Sequence, residues 1–381
     1  MSILLQALLF IAASSGIAYC FLAFWTAIRF HLRNREASDR NFTPPASILK
    51  PLCGLDPHGY ESLRSHCIQD YPEYEIIFGV SRFDDPAVPA VERLIQEFPN
   101  LSIRLVVCPN VFGMNFKVSN LLQMLPAARH PYLVINDSDI CVPRNYLSLV
   151  IGPLEDRSVG IVTCLYRGIA GPSIGSRLES LAIEADFIPG VLCARQLEKG
   201  IHFAMGSTMA FRREVLKLVE GLRSIADYLA DDYEFGRRVS NAGLRVELAD
   251  CIVEHYLPGY SWSEFFQHQL RWARTIRSCR PEGYAALILT LPLPWSVFAL
   301  AAAPSMRLGW IFVIVSLVLR LMVMFASGFL VLRNRQVFRN LWLLPIRDFV
   351  SLLIWVLSYA GNGIVWRGNK FELANGKLRS A

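Results

Sequence analysis

Asp137 and Asp139 stand one residue apart, directly after the apolar run Tyr132-Leu133-Val134-Ile135-Asn136. Alternate residues of an extended chain point to the same side, so both carboxylates can face one hard cation. A divalent ion held by one or two carboxylates keeps coordination positions open, and phosphate oxygens of a nucleotide diphosphate fit them. The same spacing also describes two solvated loop acids. Further reactive residues recur downstream and upstream of this pair. Asp84-Asp85 precede Pro86, where an acid either accepts hydrogen bonds from a uracil or ribose or caps a helix. Phe112-Gly113-Met114-Asn115-Phe116-Lys117 is a glycine turn into a helix bearing a lysine, a phosphate or nucleotide edge or else a solvated helix start. Asp231-Asp232 open a helix reaching Asn241, as helix caps or in a catalytic role. His268-Gln269-Leu270-Arg271-Trp272 lies in a basic, aromatic helical segment that by itself reads as a snorkelling interface helix.

Short β-rich runs alternate with helical stretches from Pro44 onward, the pattern of an α/β sheet. Strands are expected at 46–51, 74–80, 101–107, 132–136 and 159–166, with helices at 60–69, 86–98 and 117–125 between them. Ligand crevices in such sheets open beyond the carboxyl ends of the strands, which is where the acids fall. The stretch from Ser176 to Leu197 reads either as an acceptor-facing, interfacial helical region or as a buried helix. Gly206, in a loop before a strand, permits close approach of backbone to a ligand.

A hydrophobic share of 53% is too high for a plain soluble enzyme. Residues from Ile3 to about Ile28 form an almost uninterrupted apolar run with no charge before Arg29, longer than the roughly 20 residues a bilayer crossing needs. No basic segment precedes it, which disfavours a cleaved signal peptide. Arg29, Arg33, Arg35 and Arg40 follow it and place that flank, and the body of the protein, in the cytoplasm. Three more apolar blocks, at about 284–304, 308–332 and 341–366, come near the C-terminus. The first two read as an out-and-back hairpin. The third contains Arg347 and Asp348, so these charges form a partnered site within the bundle or the segment is re-entrant or interfacial. The resulting organisation is a membrane helix at 1–30, a catalytic domain at 44–280, membrane helices at 281–366 and a basic tail at 367–381. Nine cysteines show no Cys-x-x-Cys pair, and a net charge of +6 without a basic module gives no case for nucleic acid.

In order along the chain, Asp84-Asp85, Asp137-Ser138-Asp139, Asp231-Asp232 and His268-Gln269-Leu270-Arg271-Trp272 resemble the motifs of the ceramide glucosyltransferase family, GT-A glycosyltransferases that act on lipids. Within it, Leu49-Lys50-Pro51-Leu52-Cys53-Gly54, Lys117-Val118-Ser119-Asn120-Leu121, Val162 to Gly168 and Leu270 to Arg277 look like the bacterial hopanoid-biosynthesis glycosyltransferases. Two positions depart from the pattern. His268 replaces the usual Gln or Arg, and Asp231 replaces Glu; neither removes a group the chemistry needs.

The resemblance implies a GT-A nucleotide-sugar-binding domain between membrane helices, in a bacterial inner membrane. It implies inverting transfer from a UDP-sugar to a lipid hydroxyl, with N-acetylglucosamine and bacteriohopanetetrol as first expectation and glucose and ceramide as the alternative. Asp84 or Asp85, with Lys117 and Asp137, would hold the nucleotide, and Asp137 and Asp139 would bind Mg²⁺ or Mn²⁺. Asp232 would be the general base, while Arg271, Trp272 and His268 would face the diphosphate or the acceptor. A processive polysaccharide synthase shares the Arg-Trp motif but needs more membrane helices, and a non-catalytic scaffold leaves the ordered acids unexplained.

Overall fold

A computed structural model of the chain describes residues 3–33, 42–56, 58–303 and 305–380. Arg35 and Arg40 of the expected basic flank lie outside them. The body is built on an eight-stranded mixed sheet. Its strands are β1 (Ala46–Leu52), β2 (Tyr74–Val80), β3 (Ser102–Val107), β4 (Tyr132–Ile135), β5 (Ile140–Cys141), β6 (Val159–Ile169), β7 (Met209–Arg212) and β8 (Arg245–Tyr256), in the spatial order 3-2-1-4-7-6-8-5. β1, β2, β3 and β4 run parallel, and β7 pairs antiparallel with both β4 and β6. Every residue of β1 and β4 is buried. That explains their near-continuous apolar sequences, since a strand covered on both faces has no polar side. Burial of each large side chain such as Ile48, Leu49, Val134 or Ile135 contributes about 1.5–3 kcal/mol. β3, at the edge, is only half-buried.

Helices cover the sheet where their apolar spacing predicts, at Gly59–Cys67, Val88–Glu97 and Phe116–Met124. Asp231–Asn241 and Trp262–Cys279 follow later in the chain. The last of these starts from a reciprocal capping box in which Ser261 and Glu264 satisfy each other's backbone N–H.

Three helices are long and apolar enough to cross a membrane, Ile3–Arg33, Met306–Val331 and Val337–Ser358, and the bent pair Pro281–Thr290 and Pro292–Ala302 makes up to four. The N-terminal helix packs on Pro292–Ala302 and Met306–Met324, and a Cβ on Gly16 would meet the Pro292 backbone at 2.7 Å. Small residues at such a crossing let two helix backbones approach closely in lipid. The two segments expected as an out-and-back hairpin, the bent pair and Met306–Val331, pack against each other.

The third apolar block is a different object. Before Val337–Ser358, the carbonyls of Leu332 and Arg333 accept from Arg167, and Gln336 accepts from the Ala170 N–H. After it, Arg277 donates to the carbonyls of Ser358 and Gly361. Both ends therefore touch the same body. Trp342, Ile346, Phe349, Leu353 and Val356 form an exposed apolar stripe at helical spacing. Arg347 and Asp348 turn inward and are partnered. Arg320 of helix Met306–Met324 pairs with Asp348 at 2.5 Å and with Asp186 at 2.7 Å, and Arg347 pairs with Asp186 at 3.3 Å and donates to Gln269.

The last apolar block, expected to run to 366, ends its helix at Ser358, and residues 363–380, the end of that block and most of the expected tail at 367–381, form an antiparallel sheet of β9 (Gly363–Trp366), β10 (Asn369–Ala374) and β11 (Lys377–Ser380). It folds back on the body. The Leu378 N–H donates to the Asp227 carbonyl at 2.7 Å, and the Leu229 N–H to the Gly376 carbonyl at 3.1 Å.

Candidate active site

The loops after β1, β2 and β4 converge at the carboxyl edge of the sheet, and the loop before β7 and the start of helix Asp231–Asn241 meet them there. Gly206 is the joint between the acids. Its carbonyl accepts from the Asp137 N–H at 3.1 Å, and its own N–H donates to the Asp232 carboxylate at 2.5 Å. A Cβ at Gly206 would lie 2.4 Å from the Asp137 carboxylate, so the position requires glycine because of the side chain it faces.

Lys117 comes to Asp137 at 2.8 Å and to Asp231 at 3.0 Å. It was expected at the nucleotide; here it is the shared counter-ion of two acids. Burial works against its charge, and Asp137 and Asp231 outweigh that and keep it protonated. Asn115 caps the helix carrying Lys117 by accepting from the Val118 N–H, and donates to Asp231. Gly113 is needed for packing, because a Cβ there would meet the Ala226 carbonyl at 2.5 Å.

Asp139 pairs with His255 of β8 at 3.1 Å. Burial opposes a charge on His255, yet the Asp139 carboxylate outweighs it and raises the imidazole to about 9. Lys50, wholly buried in β1, donates to the Asp137 carbonyl at 2.8 Å and is brought down to about 8 by burial. Burial and the charge of Asp231 raise the Asp232 carboxyl to about 6. Four carboxylates, Asp137, Asp139, Asp231 and Asp232, therefore stand among the cations Lys50, Lys117 and His255.

His268, Arg271 and Trp272 share one face of helix Trp262–Cys279, as spacings of three and four residues require. Glu179 pairs with His268 at 2.8 Å, and Arg271 lies 3.2 Å from the other ring nitrogen of His268. The Trp272 ring packs edge-on against Phe187, Phe187 against Tyr166, and Tyr166 lies 6.0 Å from the His255 ring that holds Asp139. An aromatic chain thus joins the motif helix to the Asp pair.

The two acids after β2 part company. Asp84 is exposed and gripped by Arg82, whereas Asp85 accepts from the Gly54 and Ala87 N–H groups. Asp85 therefore fastens the loop after β1, in the manner of a cap, and Asp84 is not brought to the other acids.

The model of Glycosyl transferase family 21 matches residues 8–379. The chain belongs to that family. It is a glycosyltransferase, and family 21 relatives match it over nearly its whole length. Ceramide glucosyltransferase 1 of Caenorhabditis elegans is 24% identical over 382 residues, covering 94% of this chain and 78% of the relative. The ceramide glucosyltransferase of Komagataella phaffii is 22% identical, covering 86% and 82%. Among solved structures, the mannosyltransferase PcManGT from Pyrobaculum calidifontis, in complex with GDP-Man and Mn2+, is similar with a TM-score of 0.45 and 19% identity over 90% of this chain and 99% of that one.

Lys50, Glu179, His255 and Gly206 are the positions around the motifs that the motifs alone do not assign. A lysine in an all-buried parallel strand and a histidine ending β8 were the available signals, but their partners lie 87 and 116 residues away in sequence, as positions 50, 137, 139 and 255 show.

Proposed function

We propose that this family 21 enzyme transfers a single sugar from a UDP-sugar to the primary hydroxyl of a membrane lipid, with glucose and ceramide as the pair. The observation that carries the mechanism is the seat of Asp232, hydrogen-bonded through Gly206 to the loop of Asp137. The relatives named above are ceramide enzymes, so ceramide displaces bacteriohopanetetrol, and glucose displaces N-acetylglucosamine, as the substrates of choice.

Asp232 is the general base. A carboxyl raised to about 6 is ionised at neutral pH yet basic enough to take the hydroxyl proton as the acceptor oxygen attacks the anomeric carbon. Asp137 and Asp139 would hold Mg²⁺ or Mn²⁺. Among the described residues no group of three or more His, Cys, Asp or Glu side chains is arranged to cage a metal. Two carboxylates fit an ion that completes its shell with phosphate oxygens and water. Bound there, the metal supplies positive charge to the UDP leaving group. Arg271, oriented by His268 and Glu179, adds a fixed cation on the same side. Lys117 bridges Asp137 and Asp231, offsets the repulsion between them and so fixes the cluster's shape. Asp85 holds the loop after β1 at the nucleotide edge.

On this reading Val337–Ser358 lies along the interface and the crevice opens at the bilayer surface, where a lipid presents its hydroxyl without leaving the membrane. We place the body on the cytoplasmic side, from the basic residues Arg29 and Arg33 that end the N-terminal helix. Chelation with EDTA is expected to abolish transfer, and Mn²⁺ or Mg²⁺ to restore it; undiminished turnover in EDTA contradicts the metal role of Asp137 and Asp139. Gly206→Ala is expected to push the Asp137 carboxylate aside and lower kcat by about 10²-fold, the usual cost of misplacing a reacting group by an ångström. An unchanged kcat in that variant, with the thermal midpoint preserved, would show that the Asp137 position is immaterial.

A further inference from the structure

The sheet of residues 363–380 has no part in the roles above, yet it lies over the crevice. Ile364, Phe371, Leu373 and Leu378 pack on Leu229, with Met114 and Trp366 against the cluster. Leu229 precedes the Asp231-Asp232 pair, and Met114 precedes the helix of Lys117. The sheet is fixed at further points, the Gly376 N–H donating to Ser278 at 2.6 Å and Arg274 to the Gly363 carbonyl.

Its first turn, between β9 and β10, carries Arg367. Nη1 of Arg367 donates to the Cys53 carbonyl at 3.0 Å and lies 3.5 Å from Asp56. Asp56 in turn accepts from Ser138, the residue between the two acids of the Asp pair, at 2.9 Å. The guanidinium is near enough for its positive charge to be felt at Asp139 and at Arg271. Nη1 makes the nearest approach to both, and Nε and Nη2 donate no hydrogen bond to a described residue. A half-exposed guanidinium with one free edge, held beside a carboxylate pair and a second arginine, has the shape that phosphate oxygens take in a two-point grip.

We propose that Arg367 is a binding residue for the diphosphate of the nucleotide-sugar donor, carried into the crevice by the C-terminal sheet. This rests on the donor reading above. The sheet then belongs to the donor site, and the crevice is complete only when the last strands are folded over it.

The test is titration of UDP, UMP and uridine into the full-length protein in detergent with Mn²⁺, comparing wild type with Arg367→Gln, Arg367→Lys and Arg379→Gln. Arg367→Gln is expected to weaken UDP about tenfold or more, as loss of a charge-assisted phosphate contact does, and to leave uridine unchanged. Arg367→Lys should fall between, and Arg379→Gln, at the exposed far end of the sheet, should match wild type. The thermal midpoint should be the same for all four. Equal losses for UDP and uridine, or UDP affinity unchanged in Arg367→Gln, would overturn the assignment while leaving the donor reading intact. Wild type that binds no UDP overturns both.

Discussion

Asp232→Asn is expected to lower kcat by roughly 10²–10⁴-fold, the range that loss of a general base costs, while UDP affinity stays within about twofold of wild type. The asparagine amide keeps the size of the carboxylate and can still accept from the Gly206 N–H, so the loop of Asp137 keeps its place. What disappears is the proton acceptor. The same residue sets a pH dependence whose sign follows from its role: only the ionised carboxylate can take the hydroxyl proton. With the carboxyl at about 6, kcat/KM of the wild type should fall about tenfold per pH unit below that value and level off above it. The residual rate of Asp232→Asn should lose that inflection. A variant that retains turnover, or keeps the inflection, removes Asp232 from the base role and passes the attention to Asp231, its buried neighbour.

The second large effect concerns stability. Arg320 is 1% exposed and is the common partner of Asp186 and Asp348, which come from a helix of the body and from helix Val337–Ser358. Arg347 supplies the second cation, and through Gln269 it reaches the helix that bears His268, Arg271 and Trp272. Two acids and two arginines therefore balance in an apolar setting. Arg320→Leu leaves one acid uncompensated and is expected to cost about 3–5 kcal/mol of stability, read as the thermal or denaturant midpoint in detergent. The double variant Arg320→Leu, Asp348→Leu should recover most of the loss, because replacing a buried pair by apolar residues is often neutral. If the single variant is as stable as wild type, the tetrad is not holding the membrane helices to the body. If the double variant is no better than the single, Arg320 acts through Asp186 alone.

Much of this architecture was legible because the residues carry their periodicity openly. β2 falls on Tyr74–Val80 and the helix of Asp232 ends at Asn241, both as the alternation and the polar opening indicate. The Asp137 and Asp139 pair and the Arg-Trp helix were visible as spacing. What spacing could not show was pairing: Lys117 between two acids, His255 on Asp139, and Glu179 behind His268 are contacts between segments far apart in the chain. The Asp84-Asp85 choice needed the structure, since both residues cap equally well on paper and only Asp85 reaches Gly54. The C-terminal sheet was hidden by its charge. Its signal was present all the same, in Arg367-Gly368 and Asn375-Gly376, four residues with positive φ that make the two hairpin turns, between runs of alternating polarity. Arg347 and Asp348 were read as a partnered site or as part of a re-entrant or interfacial segment, and the structure gives both of them partners.

The most direct measurement is the mass of the lipid product made by purified protein in detergent with Mn²⁺, UDP-glucose and ceramide, run beside UDP-N-acetylglucosamine and beside bacteriohopanetetrol. The account predicts one hexose added to ceramide, with no polymer, and no product from Asp232→Asn. A hexosamine on the hopanoid and nothing on ceramide would contradict the proposed substrates, and no adduct on any lipid would contradict the central claim that the crevice serves a membrane acceptor.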